Sequence, residues 1–560
     1  MTDENAPYVS QIVRRLDGIP LAIELAAARM TVFGVEQIAA RLDNRFRLLT
    51  GGSRTALPRQ QTLRALIDWS YDLLDEEERA LLRRLSVFKG GWTFDAAEYV
   101  GSELDVYTLL PQLINKSLVV VAESPTDAWG ETETDAEPRY TYLETIRQYA
   151  RDRLFETAEV EESRDRHFDY YDELTSNLDY GSGTAAQLLS RGHLILERDN
   201  LQSAVEWGLE RYPDRVLDLC WNMVTFLADQ NPGGEGIQWV EMGLEQLERR
   251  TPANDAEAVR WRRAWLKGKV THGLLAMFLG ELSEASQVIK QVVDPLRAGE
   301  GDQIWLASAL FVQAQCGYFL EDPRTGDYVA ETKEAVGKLK EDIPIKKPIL
   351  ALALLVEALF ENRQSGVVKQ ELLDEATAII SQTGNEYYLP WIEYIQMSLW
   401  RSTQMDPDVI IARLAPSLER LRRNRSYRVA EMLESDYAHI LRERGRLEEA
   451  AEIYRRTIQQ WQKLGHRAAV ANQLECLAFI YRIWHQPELS VKLLGAAEQL
   501  REATGQPMLA SERTLYDAEL AALKEGLDPT SFAQLWAEGR TLSTDAAVKL
   551  AIAPLAEIET

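Results

Sequence analysis

A phosphate-binding loop of the Gly-x4-Gly-Lys-Ser/Thr type works because successive backbone N–H groups cradle the phosphates while the lysine reaches the β- and γ-oxygens. Gly-Lys pairs occur at Gly268-Lys269 and Gly337-Lys338, and neither has the upstream glycine or the following hydroxyl. No apolar strand ending in paired acids stands ready to hold magnesium. Gly181-Ser182-Gly183 lacks the third glycine of a dinucleotide fingerprint and reads as a loop. No Gly-x-Ser-x-Gly elbow offers a nucleophile. The six histidines, His167, His193, His272, His439, His466 and His485, never fall at a metal-ligand spacing such as His-x3-His, so structural roles are expected of them. Cys220, Cys316 and Cys476 lie far apart within apolar helical patterns and read as buried thiols in a reducing compartment. No catalytic residue, no metal site and no ATP hydrolysis by this polypeptide alone are therefore expected.

One corner has a defined backbone chemistry. The stretch "RRLDGIPLAIELAAARM", Arg14 to Met30, breaks an apolar-rich helical pattern with Gly18 and Pro20. A proline in the first turn of a helix gives up an N–H that would have no partner there. Gly18 is thus expected to end one helix and Pro20 to start the next.

The rest of the chain must position such features. Its 560 residues, 46% of them hydrophobic, suffice for several buried cores. With 62 basic against 88 acidic residues the net charge is -26, which argues against general affinity for nucleic acid or anionic membrane. The N-terminal "MTDENAPYVS" has no basic and apolar regions of a signal peptide, and the longest apolar run, Ile349 to Phe360, is interrupted by Glu357. Nothing reaches the roughly 18 apolar residues of a membrane span. A cytoplasmic location without membrane contact is expected.

Helical periodicity dominates, with one exception. "SLVVVAE" (Ser117 to Glu123) and "RYTYLET" (Arg139 to Thr145) are rich in β-branched and aromatic residues and read as a hairpin. They bracket an acidic loop, Ser124 to Pro138. Helices are expected over 62–74, 75–88, 93–100, 105–116 and 145–156, with Asp75 and Glu78 spaced for a helix-start capping box. Helices followed by a two-stranded hairpin is the order of a winged helix-turn-helix. Of the segment that would enter a major groove, 105–116, only Lys116 is a cation, so DNA binding through it is disfavoured.

Beyond residue 160 the chain repeats. Gly273 to Ile289 and Ala438 to Tyr454 align without a gap: a small residue first, a glycine seven on (Gly280, Gly445), an alanine at twelve (Ala285, Ala450) and a large apolar residue at sixteen. A third copy starts at Ala478, and weaker ones near Ala314, Leu355 and Met397, giving a period of about 40 residues. Small residues let paired antiparallel helices approach, and the large residue fills the space between pairs. The pattern is similar to tetratricopeptide repeats with longer helices or loops. The basic run Arg420 to Arg428 reads as a solvated helix face pairing with acids. Trp391, Tyr394, Trp400, Trp461 and Trp484 read mostly as core, some of them lining a concave groove that takes a protein or peptide.

Taken in order, "RRLDGIPLAIELAAAR", "LTGGSRTALPRQQTLRALIDWSYDLLDEEERALLRRLSVFKGGWTFDAAE", "LINKSLVVV" and "RYTYLETIRQYARDRL" closely resemble the middle portion of bacterial signal-transduction ATPases with numerous domains (STAND), relatives of the NB-ARC switch ATPases. "ERDNLQSAVEWGLE", "LLGAAEQLREATGQP" and "FAQLWAEGRTLS" resemble the helical arm of that group. The resemblance implies a mainly α fold: a remnant helical domain over 1–58, a winged helix over 59–157 with its wing loop at 124–138, a helical linker and first pairs over 158–270, a TPR-like superhelix over 271–503 and a helical cap over 504–560. It also implies that Pro20 packs near the adenine of ADP or ATP and that Gly18 shapes the turn before it, once a nucleotide-binding module absent from this chain is supplied. Leu143, Glu144 and Thr145 occupy the place of the family's Met-His-Asp switch, without its histidine. The implied function is the regulatory and sensor portion of a switch ATPase, binding no cofactor on its own. A plain interaction scaffold and a DNA-binding transcriptional regulator are the alternatives.

Overall fold

The computed structural model describes residues 6–15, 20–28, 30, 33–39, 58–122, 138–177, 194–230, 234–383, 388–400, 406–423, 427–504, 508 and 510–553. The chain is mainly α and divides into two compact units, residues 1–174 with 196–208, and residues 175–195 with 209–560. No described helix is long and apolar enough to cross a membrane.

The first unit opens with α1 (Ala6–Arg15) and α2 (Pro20–Ala28). The winged helix follows as α3 (Pro58–Asp72), α4 (Glu76–Arg84), α5 (Phe94–Gly101), α6 (Val106–Asn115), the strands β1 (Val120–Ala122) and β2 (Arg139–Thr141), and α7 (Glu144–Phe155). Asp75 starts α4 as expected: its carboxylate accepts from the Glu78 N–H at 2.8 Å, and the Glu78 carboxylate accepts from the Asp75 N–H at 3.0 Å. That reciprocal cap satisfies two N–H groups that the helix itself leaves open. The strands pair antiparallel with Val120 opposite Thr141, and Trp92 extends the wing by exchanging hydrogen bonds with Tyr140 at 2.8 Å each way. Trp92 is fully buried, its ring 5.5 Å from that of Phe88 and 4.7 Å from that of Tyr142. Most of the wing loop lies outside the described residues.

Two further helices complete the unit, α8 (Val160–Ser176) and most of α9 (Arg198–Arg211). Buried Asn200 accepts from the Lys89 N–H at 2.7 Å and donates to the Gly91 carbonyl at 2.7 Å. Buried Glu197 takes the Tyr171 hydroxyl at 2.6 Å and pairs with Arg139 of β2. Buried polar groups persist where each finds a partner, and here they fasten the wing to residues 197–200, a segment whose sequence resembles the helical arm.

The second unit begins with α10 (Pro213–Asn222), α11 (Val224–Gln230) and α12 (Glu235–Arg249). Helix pairs then run α13 (Asp255–Phe278) with α14 (Leu282–Lys290); after the short α15 (Val293–Arg297), α16 (Gln303–Phe319) with α17 (Thr325–Gly337); α18 (Lys346–Ser365) with α19 (Gln370–Thr383); α20 (Leu389–Trp400) with α21 (Pro407–Arg423); α22 (Tyr427–Glu443) with α23 (Leu447–Lys463); and α24 (Arg467–Ile483) with α25 (Pro487–Thr504). The cap consists of α26 (Ala510–Gly526), α27 (Pro529–Arg540) and α28 (Thr544–Ile552).

All six repeat anchors fall on the first helix of a pair. From Tyr427 onward, 17-residue helices joined by 3-residue turns generate the 40-residue period, so helix length is what stretches the repeat. A Cβ on Gly273 would lie 2.5 Å from Ile289, which is why the first and sixteenth positions are small and large. The position seven after the anchor is left-handed in four copies: Gly280 (φ 80°), Glu321 (56°), Gly445 (79°) and His485 (60°). In each, the next N–H reaches back five residues, from 281 to Ala276, 322 to Gly317, 446 to Leu441 and 486 to Tyr481, all at 2.9 Å. This closes the helix end in a Schellman turn and aims the chain back along its partner.

Candidate functional site

Within the second unit the pairs surround a cavity of about 460 Å³. Its floor is one stripe of α22: Arg428, Met432, Ser435, Asp436 and His439, spaced so that they share a helix face. The facing wall is apolar, with Met277 and Phe278 at the end of α13 and Phe311 on α16. Trp461 forms another side and donates its indole N–H to the Ser435 hydroxyl at 3.0 Å, while Gln473 donates to the same oxygen at 2.6 Å. Both sequence-distant ends of this ring meet. Arg467 donates to Glu281 at 2.8 and 3.2 Å, and Gly280 lies so close to His466 that a Cβ there would overlap the imidazole ring. His466 in turn caps α24, accepting the Ala469 N–H at 3.1 Å on Nδ1, so burial without a countercharge drives its pKa down to about 3 and keeps it neutral.

Two polar groups of the lining are buried. Arg428 is 2% exposed, its guanidinium 5.5 Å from the centre of the Phe278 ring. This corrects the expectation of a solvated face over 420–428. The run changes character along its length: Arg422 pairs with Glu434 as expected, but Arg428 is turned inward. Thr225, on α11, is buried, and its hydroxyl has no hydrogen-bond partner.

Pro20 is the exposed first residue of α2, in agreement with a helix start, and Gly18 lies outside the described residues. Leu143, Glu144 and Thr145 share the exposed N-terminus of α7, with Leu143 as N-cap. Hydrogen bonds from Arg147, at 2.7 and 2.9 Å, hold the Glu144 carboxyl below its ordinary range. The three cysteines are buried, and burial pushes the Cys220 and Cys316 thiols up to about 12, which leaves them unreactive. The side chains of Trp391 and Trp400 lie outside the described residues; Tyr394 and Trp461 line the cavity, and Trp484 packs against Tyr481.

Sequence spacing missed one cluster. Glu241 on α12, His272 on α13 and Glu284 on α14 bring their ligand atoms within 4.8 Å of one another, an arrangement that could hold a metal ion. His272 Nε2 stands 2.7 Å from Glu284, which this contact holds below the usual carboxylate range. The helices converge only in three dimensions, so no short motif signals them. Arg428, Met432, Ser435, Asp436 and His439 fall at i, i+4, i+7, i+8 and i+11, the spacing of one helix face, but nothing in one helix says what faces it.

On the winged helix, the outward face of α6 presents Tyr107, Thr108, Pro111 and Asn115. Lys116, which follows it, donates to buried Glu78 of α4.

A family model described as a winged helix-turn-helix domain matches residues 74–155, which span α4 to α7 and the hairpin. Proteins of Mycobacterium bovis and Mycobacterium tuberculosis named, by inference, as HTH-type transcriptional regulators are 41% identical over 252 residues, 44% of this chain and 27% of each relative. An uncharacterised M. tuberculosis protein is 41% identical over 164 residues, 28% of this chain and 39% of the relative. The chain thus spans well under half the length of these curated relatives. Among solved structures, a STAND protein with a tetratricopeptide repeat sensor from Pyrococcus horikoshii aligns over 95% of this chain and 74% of its own, at 14% identity and a TM-score of 0.41.

Proposed function

We propose that this chain is the regulatory and sensor portion of a STAND-type switch ATPase, in which the helical arm binds a protein or ligand and the winged helix relays that event to a nucleotide-binding module outside this sequence. The observation that carries the reading is the Lys116 to Glu78 pair. Lys116, the cation that directly follows α6, is spent on Glu78 inside the domain, and among the described residues the outward face of α6 (Tyr107, Thr108, Pro111 and Asn115) is uncharged. A groove reader needs cations for the phosphates beside the side chains it aims at base edges. A face that offers the Asn115 amide and no cation is suited to packing against protein. Gly18 and Pro20 would form one wall of an adenine pocket. The phosphate cradle must come from the other module, so this chain alone hydrolyses no ATP.

The names of the mycobacterial relatives favour a second reading, a DNA-binding regulator, and a passive scaffold is a third. Joining the chain to its upstream nucleotide-binding module and measuring small-angle scattering with ADP and with a non-hydrolysable ATP analogue separates them. A nucleotide-dependent change in compactness, together with faster ADP loss in Pro20→Ala, is the expected result. Identical profiles and unchanged ADP retention would leave the scaffold.

A further inference from the structure

We infer that Glu241, His272 and Glu284 form a binding site for a divalent transition-metal ion of the Zn²⁺ type, which staples α12 to the first repeat pair, α13 and α14. The site stands apart from the sensor reading and does not depend on it.

Packing of the first pair sets the geometry. α13 and α14 press together where a Cβ on Gly273 would lie 2.5 Å from Ile289, and that approach brings His272 Nε2 to 2.7 Å from the Glu284 carboxylate across the pair. Glu241 enters from α12, which packs on the same α13, with its carboxylate 4.0 Å from the same nitrogen. All three ligand atoms lie within 4.8 Å of one another. Zn²⁺ stands about 2.0–2.2 Å from imidazole nitrogen and carboxylate oxygen, so the ligands of a tetrahedral ion are roughly 3.4 Å apart. The separations of 2.7 and 4.0 Å bracket that spacing. His272 is buried and fixes one corner, whereas Glu241 and Glu284 are half exposed and have the rotamer freedom to close on an ion arriving from solvent.

Among the described residues, the hydrogen bonds and ion pairs of these three side chains run only to one another. A plain His272 to Glu284 hydrogen bond accounts for two of them and leaves Glu241 without a role: it converges on the same nitrogen at 4.0 Å, too far to bond it. A common ion accounts for all three. Arg467, the cation whose charge reaches Glu284, is itself bonded to Glu281, so the two ligand carboxylates keep a negative charge that a divalent ion would neutralise. The ligand types select the ion. An imidazole among them suits Zn²⁺, Fe²⁺, Ni²⁺ or Cu²⁺, whereas Mg²⁺ and Ca²⁺ take oxygen sets. Three protein ligands leave a fourth position to water.

The test uses the purified full chain, stripped with EDTA and dialysed, with ZnCl₂ as the probe and MgCl₂ and CaCl₂ beside it, read by titration calorimetry, thermal shift and amide hydrogen exchange. Zn²⁺ is expected to bind at micromolar concentration or below, to raise the melting temperature and to slow exchange in α12 and α14, with Mg²⁺ and Ca²⁺ roughly a hundredfold weaker. Glu241→Gln has no hydrogen bond to lose, so without metal it should melt with the wild type, yet it should weaken Zn²⁺ about tenfold or more. His272→Gln should weaken Zn²⁺ at least as much, and because its side chain is buried and the substitution can disturb the fold, Glu241→Gln carries the decision. Zinc-edge X-ray absorption should show an imidazole nitrogen and oxygen ligands at about 2.0–2.2 Å, without sulfur. Undiminished Zn²⁺ affinity in Glu241→Gln, sulfur ligation, Mg²⁺ bound as tightly as Zn²⁺, or no Zn²⁺ binding at submillimolar concentration would each overturn the site. Zn²⁺ binding that leaves exchange in α12 unchanged would overturn the staple.

Discussion

Arg467 and Glu281, 186 residues apart, share two hydrogen bonds of 2.8 and 3.2 Å that join the turn after α13 to the start of α24. Glu281 is nearly buried while Arg467 is half exposed, so the pair is neither a free surface bridge nor a sealed one. A double-mutant cycle with Glu281→Gln and Arg467→Met is expected to give a coupling of about 1 kcal/mol, falling as salt rises to 1 M. Additive losses would mean that the ring is held by packing alone.

The neighbouring Gly280 tests the same closure sterically. Gly280 and Gly445 are equivalent turns with nearly equal φ, 80° and 79°, yet a Cβ at Gly445 meets nothing within 4 Å while one at Gly280 meets the ring of His466. Gly445→Ala is expected to cost about 1 kcal/mol, the strain of a left-handed alanine. Gly280→Ala should cost roughly twice as much or more, because a packed ring must also move. Equal denaturation midpoints for the two variants would show that the His466 contact does not form.

These turns also mark how far sequence reasoning reaches. The seven-residue offset identified Gly280 and Gly445 because only glycine announces a left-handed turn. Glu321 and His485 adopt the same conformation silently, since the helix pair imposes it on whatever residue arrives. Helix order, the capping box at Asp75 and the hairpin were legible because they are local. Ring closure, the cavity, Arg428 turned inward and the Glu241, His272 and Glu284 cluster were not, because each depends on which faces meet after helices far apart in sequence have stacked. The proposed adenine corner is half legible in both: Pro20 starts a helix, and Gly18 lies outside the described residues.

Lys116 offers a test of the winged helix. Lys116→Met leaves the Glu78 carboxylate buried without its cation and is expected to cost about 3 kcal/mol. Adding Glu78→Gln should return much of that loss, since glutamine at this position still completes the capping box with Asp75. In fluorescence anisotropy, the wild-type chain should show no salt-dependent binding to duplex DNA at low salt. A linear fall of affinity with salt would restore the DNA-binding reading.

His167 sets the acid side of the first unit's stability. Packed between the rings of Phe88 and Tyr171, at 5.0 and 4.9 Å, it is driven by burial to a pKa of about 3. The unfolded chain takes up the proton near pH 6.5 and the folded one resists it, so stability present above pH 6.5 drains as the pH falls toward 3. His167→Gln should lose less stability between pH 7 and pH 4 than the wild type, read from urea midpoints. Parallel losses would assign the acid sensitivity to other groups.

Glu431 works in the opposite direction within the arm. Burial, with Glu434 nearby, pushes its carboxyl from 4.5 up to about 8, and its Oε2 has no hydrogen-bond partner. Below pH 4.5 both folded and unfolded chains hold the proton and the group contributes no slope. As pH rises from there toward 8 the unfolded chain ionises freely while the folded one must bury either a proton or a charge, so stability declines across that window. Glu431→Gln, which mimics the protonated carboxyl, should flatten the decline. Amide hydrogen exchange of α22 and α23 between pH 5 and pH 8, corrected for intrinsic rates, reads the effect where it arises. Protection that falls equally in wild type and variant would show that Glu431 ionises without cost and that water reaches it.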